Sequence, residues 1–320
     1  MKPKLLFLSL IISTSLNGGE VRTWTAADGR TLEAELISVD EKGVTVQRKT
    51  DGKRMDLTLE MLSEDDQNFV KSLVAAEAKD AAVDEDEKTR EDGLKSGPYK
   101  DLVTGDFVQS KTEGGMPFQL YGPEDARSSE RYPLVVALHG GSGRGGDEPW
   151  SPGEAANVYS GGEFADANPA FVVAPRCAVG SSWSGPEGEM VAELVKSLSK
   201  HLPIDVNRIY ITGGSMGGAG TWHQITEYQS LYAGAIVLGN AGNPGNIEKL
   251  KDFPIWQFHG ELDDHPVEKA REMAEAQKKA GSTKYKFTEL AGEGHVVHKP
   301  VYKSGEALIW LFEQKRGAGK

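Results

Sequence analysis

Cysteine is all but missing from this chain. Cys177 is the single one in 320 residues, so no internal disulfide can form and a packed core must hold the fold. Its place just after an apolar run reads as that of a small buried residue rather than a reactive thiol. Clustered Lys and Arg are missing as well. The net charge is −12, and without a basic stripe there is nothing to neutralise phosphates, which excludes nucleic acid as a partner. The sequence shows no internal repeat and no His, Cys and carboxylate spacing typical of a metal site, so neither metal nor cofactor is expected. Nor does any apolar run approach the ~20 residues that cross a bilayer. The N-terminal run Leu5–Ile12 is short and follows the charged start Met1-Lys2-Pro3-Lys4, the pattern of a secretory signal. Residues 1–19 are therefore expected to be a signal peptide, with export to a periplasmic or extracellular compartment and no transmembrane anchor afterwards. Ser13-Thr14-Ser15 offers small residues for cleavage without a clean Ala-x-Ala.

What is present divides into three parts. Residues 20–74 carry short alternating runs punctuated by Asp28-Gly29, Lys42-Gly43 and Asp51-Gly52, the signals of hairpins in a small β unit. Ser63, with Asp66 three residues on, marks a helix start from which Phe69 and Leu73 can face the strands. Residues 75–97 form an acidic linker. Within them, 77–92 hold eight acidic and three basic residues and no aromatic anchor, which favours a solvated tether. From residue 98 to 320 strands alternate with helices, the signature of a mainly parallel sheet covered on both faces. Strands are expected over 107–111, 116–121, 134–138, 171–174, 209–212, 235–238, 255–258 and 285–287, and helices over 190–202, 267–279 and 304–315.

The chemistry centres on Gly213-Gly214-Ser215-Met216-Gly217-Gly218, which follows the apolar strand Ile209–Thr212 directly. A serine that attacks a carbonyl must be held proud of the backbone on a sharp strand-to-helix turn. The flanking glycines leave room for that turn, and the N–H of Met216 then faces the developing oxyanion. Attack needs a base and a group to orient it. The strand at 285–287 leads into Gly292-Glu293-Gly294-His295, which nominates His295, with His298 as its nearest competitor. The strand at 255–258 leads into His259-Gly260-Glu261-Leu262-Asp263-Asp264. Asp263 is preferred as the orienting acid, and Asp264 stays open because either aspartate could instead cap the helix at Val267. His201, His223 and His259 are adequately explained by packing or hydrogen bonding. The loop Leu138-His139-Gly140-Gly141-Ser142-Gly143 suits the second oxyanion donor, the N–H of Gly141, with His139 orienting the loop. The lysine of a phosphate-cradling P-loop is absent here.

Two resemblances follow. Arg22-Thr23-Trp24-Thr25, the Asp28-Gly29 turn and Leu59–Asp66 resemble a small SH3-like adaptor module of exported bacterial proteins, which implies a β-barrel that binds a protein or envelope component. Leu138-His139-Gly140-Gly141, Pro203–Tyr210, Gly214-Ser215-Met216-Gly217-Gly218 with Gly220-Thr221-Trp222, and Trp256–Gly260 are similar to the exported esterase and predicted-peptidase branch of the α/β-hydrolases, including polyhydroxybutyrate-depolymerase-like and feruloyl-esterase-like proteins. This resemblance spans residues 105–315. It implies an α/β-hydrolase fold, a Ser215–His295–Asp263 triad, an acyl-enzyme, and carboxylic ester substrates such as acyl or feruloyl groups on polysaccharides. A serine peptidase and a non-catalytic envelope- or glycan-binding protein are the alternative readings. The chain departs from the family in a loop about one residue shorter after the aspartate, and in having His298 where relatives often carry an aromatic residue.

Overall fold

The computed structural model describes residues 21–75 and 93–317. The expected signal peptide and most of the acidic linker lie outside the described residues. The chain forms two compact units, divided between residues 86 and 87.

The first unit is an antiparallel meander of β1 (Val21–Thr25), β2 (Thr31–Asp40), β3 (Gly43–Arg48) and β4 (Arg54–Thr58), paired in chain order and followed by α1 (64–75). Alternation in the strands sends Trp24, Ala34, Val44 and Val46 to one side, where Leu62 and Val70 cover them. Phe69 reaches Trp24 edge-on, with ring centroids 6.1 Å apart. Ser63 Oγ accepts the Asp66 N–H at 3.4 Å, as a helix cap should. The Asp66 carboxylate turns instead to the strand, accepting the Thr25 N–H at 2.6 Å and pairing with the Arg22 guanidinium. The hairpins expected from the turn signals are thus present as a four-stranded sheet.

The second unit is built on eight strands: β5 (Val108–Lys111), β6 (Pro117–Tyr121), β7 (Tyr132–Leu138), β8 (Phe171–Pro175), β9 (Ile204–Gly214), β10 (Gly234–Leu238), β11 (Ile255–Gly260) and β12 (Tyr285–Leu290). Their order across the sheet is β12-β11-β10-β9-β7-β8-β6-β5. The pairs β5–β6 and β6–β8 are antiparallel, and the rest of the sheet is parallel. This is an α/β-hydrolase-like sheet. The β7 run is buried throughout, and its side chains alternate between two apolar layers: Leu134, Val136 and Leu138 on one face, Val135 and Ala137 on the other. Helices α4 (Pro186–His201), α5 (Met216–Glu227) and α7 (Val267–Lys279) cover the first face through residues such as Leu194, Ile225 and Met273. The second face is covered by α2 (Glu154–Asn157), α8 (His298–Ser304) and α9 (Glu306–Phe312). Two further short helices are α3 (Glu163–Ala167) and α6 (Ile247–Leu250). Each fully buried Leu, Ile or Phe contributes about 1.5–3 kcal/mol.

Several boundaries differ from expectation. The helix expected over 304–315 is α9, and α8 before it was not expected; Gly305 takes a left-handed conformation (φ 73°) that ends α8 and redirects the chain into α9. Helix α4 begins at Pro186, whose fixed φ suits a first helical position. Strand β9 begins at Ile204 and includes the polar stretch Asp205-Val206-Asn207, where pairing with β7 shifts register.

Registry places the site. Leu138 of β7 pairs with Gly213, Gly214 of β9 pairs with Leu238, and Leu238 pairs with Phe258 of β11. The carboxyl ends of four parallel strands thus finish side by side, and their loops share one crevice.

Candidate active site

Ser215 sits between β9 and α5 with φ 56° and ψ −115°, the one non-glycine residue at positive φ among those described. Such a conformation costs on the order of 1–3 kcal/mol and persists only where neighbours over-determine it. Here the Ser215 N–H donates to Leu238 O at 2.9 Å, and its carbonyl accepts the Ala219 N–H at 3.0 Å. Gly217 is required by contact: a Cβ there would lie 2.1 Å from Leu138 O. At Gly213 a Cβ would lie 2.5 Å from the Gly217 carbonyl. The glycines of the motif therefore let the helix start against the sheet edge.

His295 enters from the loop after β12. Its Nδ1 lies 2.9 Å from both carboxylate oxygens of Asp263. Of the adjacent aspartates, Asp263 is the one that turns inward, its side chain fully buried, while Asp264 is exposed. Gly260 allows the two loops to meet, since a Cβ on it would lie 2.1 Å from Gly294 O. Burial opposes ionisation of the Asp263 carboxyl. The His265 N–H at 2.8 Å, the His295 hydrogen bond, and the nearby His295 and His259 outweigh it, so the carboxyl is held below the usual aspartate range. An ionised carboxylate facing Nδ1 keeps the imidazole proton on that nitrogen and leaves Nε2 as the basic one.

Ser215 and His295 line one cavity of about 540 Å³ together with Gly141 and the rest of the loop after β7. Gly141 opens the 3-10 turn Gly141–Gly143 and Met216 opens α5, so neither N–H has an acceptor within its own helix. His139 does orient this loop. Its Nε2 accepts the Cys177 N–H at 3.0 Å, which puts the proton on Nδ1, and Nδ1–H donates to Gly140 O at 2.7 Å. Burial, with Arg176 and Arg144 nearby, pushes the His139 pKa down, so the ring is neutral near pH 7. Trp183 Nε1–H donates to His139 O at 2.9 Å. Cys177 is buried, and that burial pushes its thiol up to about 11, which removes it as a nucleophile.

His298 faces the same cavity but is turned to Glu154, Nε2 to Oε2 2.9 Å. His201 meets Tyr99 edge-on and His223 meets Tyr228 likewise. Three contributors were not foreseen. His259 is buried with Nε2 3.2 Å from Asp263 Oδ2. His265 stacks on His295 with ring centroids 4.7 Å apart. Arg176, directly after β8, donates to the carbonyls of Gly143, Gly146 and Glu148 and packs over Trp150. A charge placed immediately behind a wholly apolar strand was the available signal for Arg176. Asp263, His265 and His295 also bring donor atoms within 4.8 Å of one another. Two of the three share one loop and the third lies 30 residues on, so linear spacing does not show the group.

Residues 187–303, from α4 through α8, match the phospholipase/carboxylesterase family model. A bifunctional acetylxylan esterase/xylanase of Neocallimastix patriciarum is 25% identical over 154 residues, covering 47% of this chain and 22% of that protein. Among solved structures, a thermostable esterase is similar at 35% identity and TM-score 0.63, over 67% of this chain and 64% of that one. A feruloyl esterase module from Clostridium thermocellum, complexed with sinapinate, shares the fold at 14% identity and TM-score 0.53, over 65% and 88% of the two chains. The chain thus spans about a fifth of the curated relative and under two thirds of the thermostable esterase. The family match over the elements that carry Ser215, Asp263 and His295, with the esterase relatives, supports a carboxylic ester hydrolase on an α/β-hydrolase-like fold.

Proposed function

We propose that the chain is an exported serine esterase acting through Ser215, His295 and Asp263. The observation that carries the reading is the buried Asp263 carboxylate bonded to His295 Nδ1 at 2.9 Å, while His295 and the strained Ser215 face one cavity. His295 Nε2 takes the Ser215 Oγ proton as Oγ attacks the ester carbonyl. The N–H groups of Gly141 and Met216 receive the oxyanion, each worth on the order of 3 kcal/mol in the transition state. Collapse of the tetrahedral intermediate breaks the ester C–O bond, and His295 returns the proton to the departing alcohol. Water, deprotonated by the same nitrogen, then releases the acid and restores Ser215. Acyl or feruloyl esters on polysaccharides are the proposed substrates, in keeping with what the relatives are named for. The N-terminal unit is proposed as an SH3-like adaptor that holds the enzyme near a protein or envelope component.

Labelling by a fluorophosphonate probe, with mass mapping of the modified peptide, tests the nucleophile. The expected result is one adduct at Ser215, lost in Ser215→Ala. A well-folded protein that takes no label overturns the assignment. Turnover of acetyl- and feruloyl-saccharides against matched peptides then separates ester from amide preference.

A further inference from the structure

Three groups that could ligate an ion converge at the base, and triad chemistry has no use for one of them, His265. His265 Nδ1 lies 3.5 Å from Asp263 Oδ1, and His295 Nδ1 lies 2.9 Å from both oxygens of the same carboxylate. All three groups offer a ligand atom within 4.8 Å. Ligands held at the ~2.0–2.1 Å typical of zinc sit about 3.3 Å apart around a tetrahedral ion, and the two measured separations bracket that spacing. The imidazoles stack 4.7 Å apart at 29°, so the exposed His265 ring must turn about its side-chain bonds to bring its Nδ1 lone pair to the point that His295 Nδ1 faces. Asp263 keeps a supporting partner, because His259 Nε2 lies 3.2 Å from its other oxygen. Carboxylates that ligate a metal are ordinarily held by such outer partners. The side chain of His265 is 73% exposed, which gives an ion a route in and leaves room for water as the fourth ligand.

We infer that Asp263, His265 and His295 form an inhibitory site for a divalent transition metal, with zinc the best match to two imidazole nitrogens and one carboxylate. The inference rests on His295 being the catalytic base. A metal at Nδ1 takes the nitrogen that otherwise carries the ring proton. The neutral imidazole then holds its proton on Nε2, where it can no longer accept one from Ser215 Oγ. No bond is made or broken beyond coordination and the move of one proton between ring nitrogens, so removal of the metal restores the base. The wrong tautomer in such a triad costs on the order of 10⁴ in kcat.

The test uses full-length untagged protein stripped with EDTA and titrated with Zn²⁺, binding being read by calorimetry and turnover by ester hydrolysis. Wild-type protein is expected to bind one Zn²⁺ and lose turnover in parallel, with recovery on adding EDTA. His265→Ala, each rate normalised to its own metal-free value, is expected to bind more than about tenfold more weakly and to resist inhibition to the same degree. Ser215→Ala, which cannot turn over, is expected to bind Zn²⁺ as wild type does, so the site is read even if the esterase assignment fails. Absence of stoichiometric binding, or binding and inhibition unchanged in His265→Ala, overturns the proposal.

Discussion

His259 and Asp263 are joined inside the protein: Nε2 of the imidazole lies 3.2 Å from Oδ2 of the carboxylate and 2.9 Å from the carbonyl oxygen of His265. Nε2 is hydrogen-bonded to the His265 carbonyl, and the Asp263 carboxylate lies close beside it. His259 Nδ1 is buried without a partner among the described residues. One side chain thereby ties the end of β11 to the acid and to the backbone two residues beyond it. Replacing it with Leu removes the hydrogen bond to the His265 carbonyl, worth about 0.5–1.5 kcal/mol, together with the contact to Asp263. If that contact serves to orient Asp263, His259→Leu lowers kcat by about 10–100-fold with KM nearly unchanged. Steady-state kinetics on the folded variant checks this, and an equal rise in KM would argue for a loosened cavity instead.

The two adjacent aspartates should separate cleanly. Asp263→Asn keeps shape but loses the charge that fixes the His295 tautomer, and a loss near 10³–10⁴ in kcat is expected. Asp264 is exposed, and Asp264→Asn should stay within about twofold, as surface changes usually do. The same carboxyl also predicts an acid limb. Its folded pKa lies below the ordinary 3.8, so its contribution to stability is fully present above that value and is lost as pH falls from there through the folded pKa. Thermal melts across that acid range should show wild type losing more stability than Asp263→Asn.

Legibility in the sequence followed the range of the signal. Strands such as β7 are continuous apolar runs because both faces are covered, and their existence is plain from residues 134–138 alone. The Ser215 turn was readable because its glycines are adjacent in sequence and each has a local steric reason. Asp263 and His295 could be nominated from strand order, but choosing between Asp263 and Asp264 required the fold: they are neighbours in the chain, and the backbone buries one and exposes the other. His259, His265 and Arg176 act through contacts between loops far apart in sequence. Periodicity carries no trace of such contacts. Helix α8 was missed because it is only seven residues long and carries a proline, Pro300, near its start.

Arg176 is the test of how firmly the oxyanion loop is held. Its guanidinium serves three carbonyls between Gly143 and Glu148, is 7% exposed, and fits so closely that a Cβ on Gly145 would lie 2.1 Å from it. A lysine offers one point charge in place of the planar fork. Arg176→Lys should break some of these part-buried hydrogen bonds, at about 0.5–1.5 kcal/mol each, lowering the melting temperature. The loop that carries Gly141 should also gain mobility. Faster amide exchange over 140–148, with kcat falling more than KM rises, is the expected outcome; exchange unchanged in a less stable protein would confine Arg176 to packing.

Strain at Ser215 sets stability against activity at one atom. An L-residue at φ 56° and ψ −115° meets a clash between Cβ and backbone that glycine does not have. Ser215→Gly relieves it, at the cost of the extra backbone freedom that glycine brings to the unfolded chain, about 0.5–1 kcal/mol. With 1–3 kcal/mol of strain available, the balance favours the variant by about 1 kcal/mol. Ser215→Ala keeps the Cβ and therefore the strain. Both variants should lose turnover, while only Ser215→Gly unfolds at higher denaturant than wild type with the same slope. If Ser215→Ala gains as much as Ser215→Gly, the hydroxyl rather than the backbone is what destabilises the turn, and the motif's glycines would need another explanation.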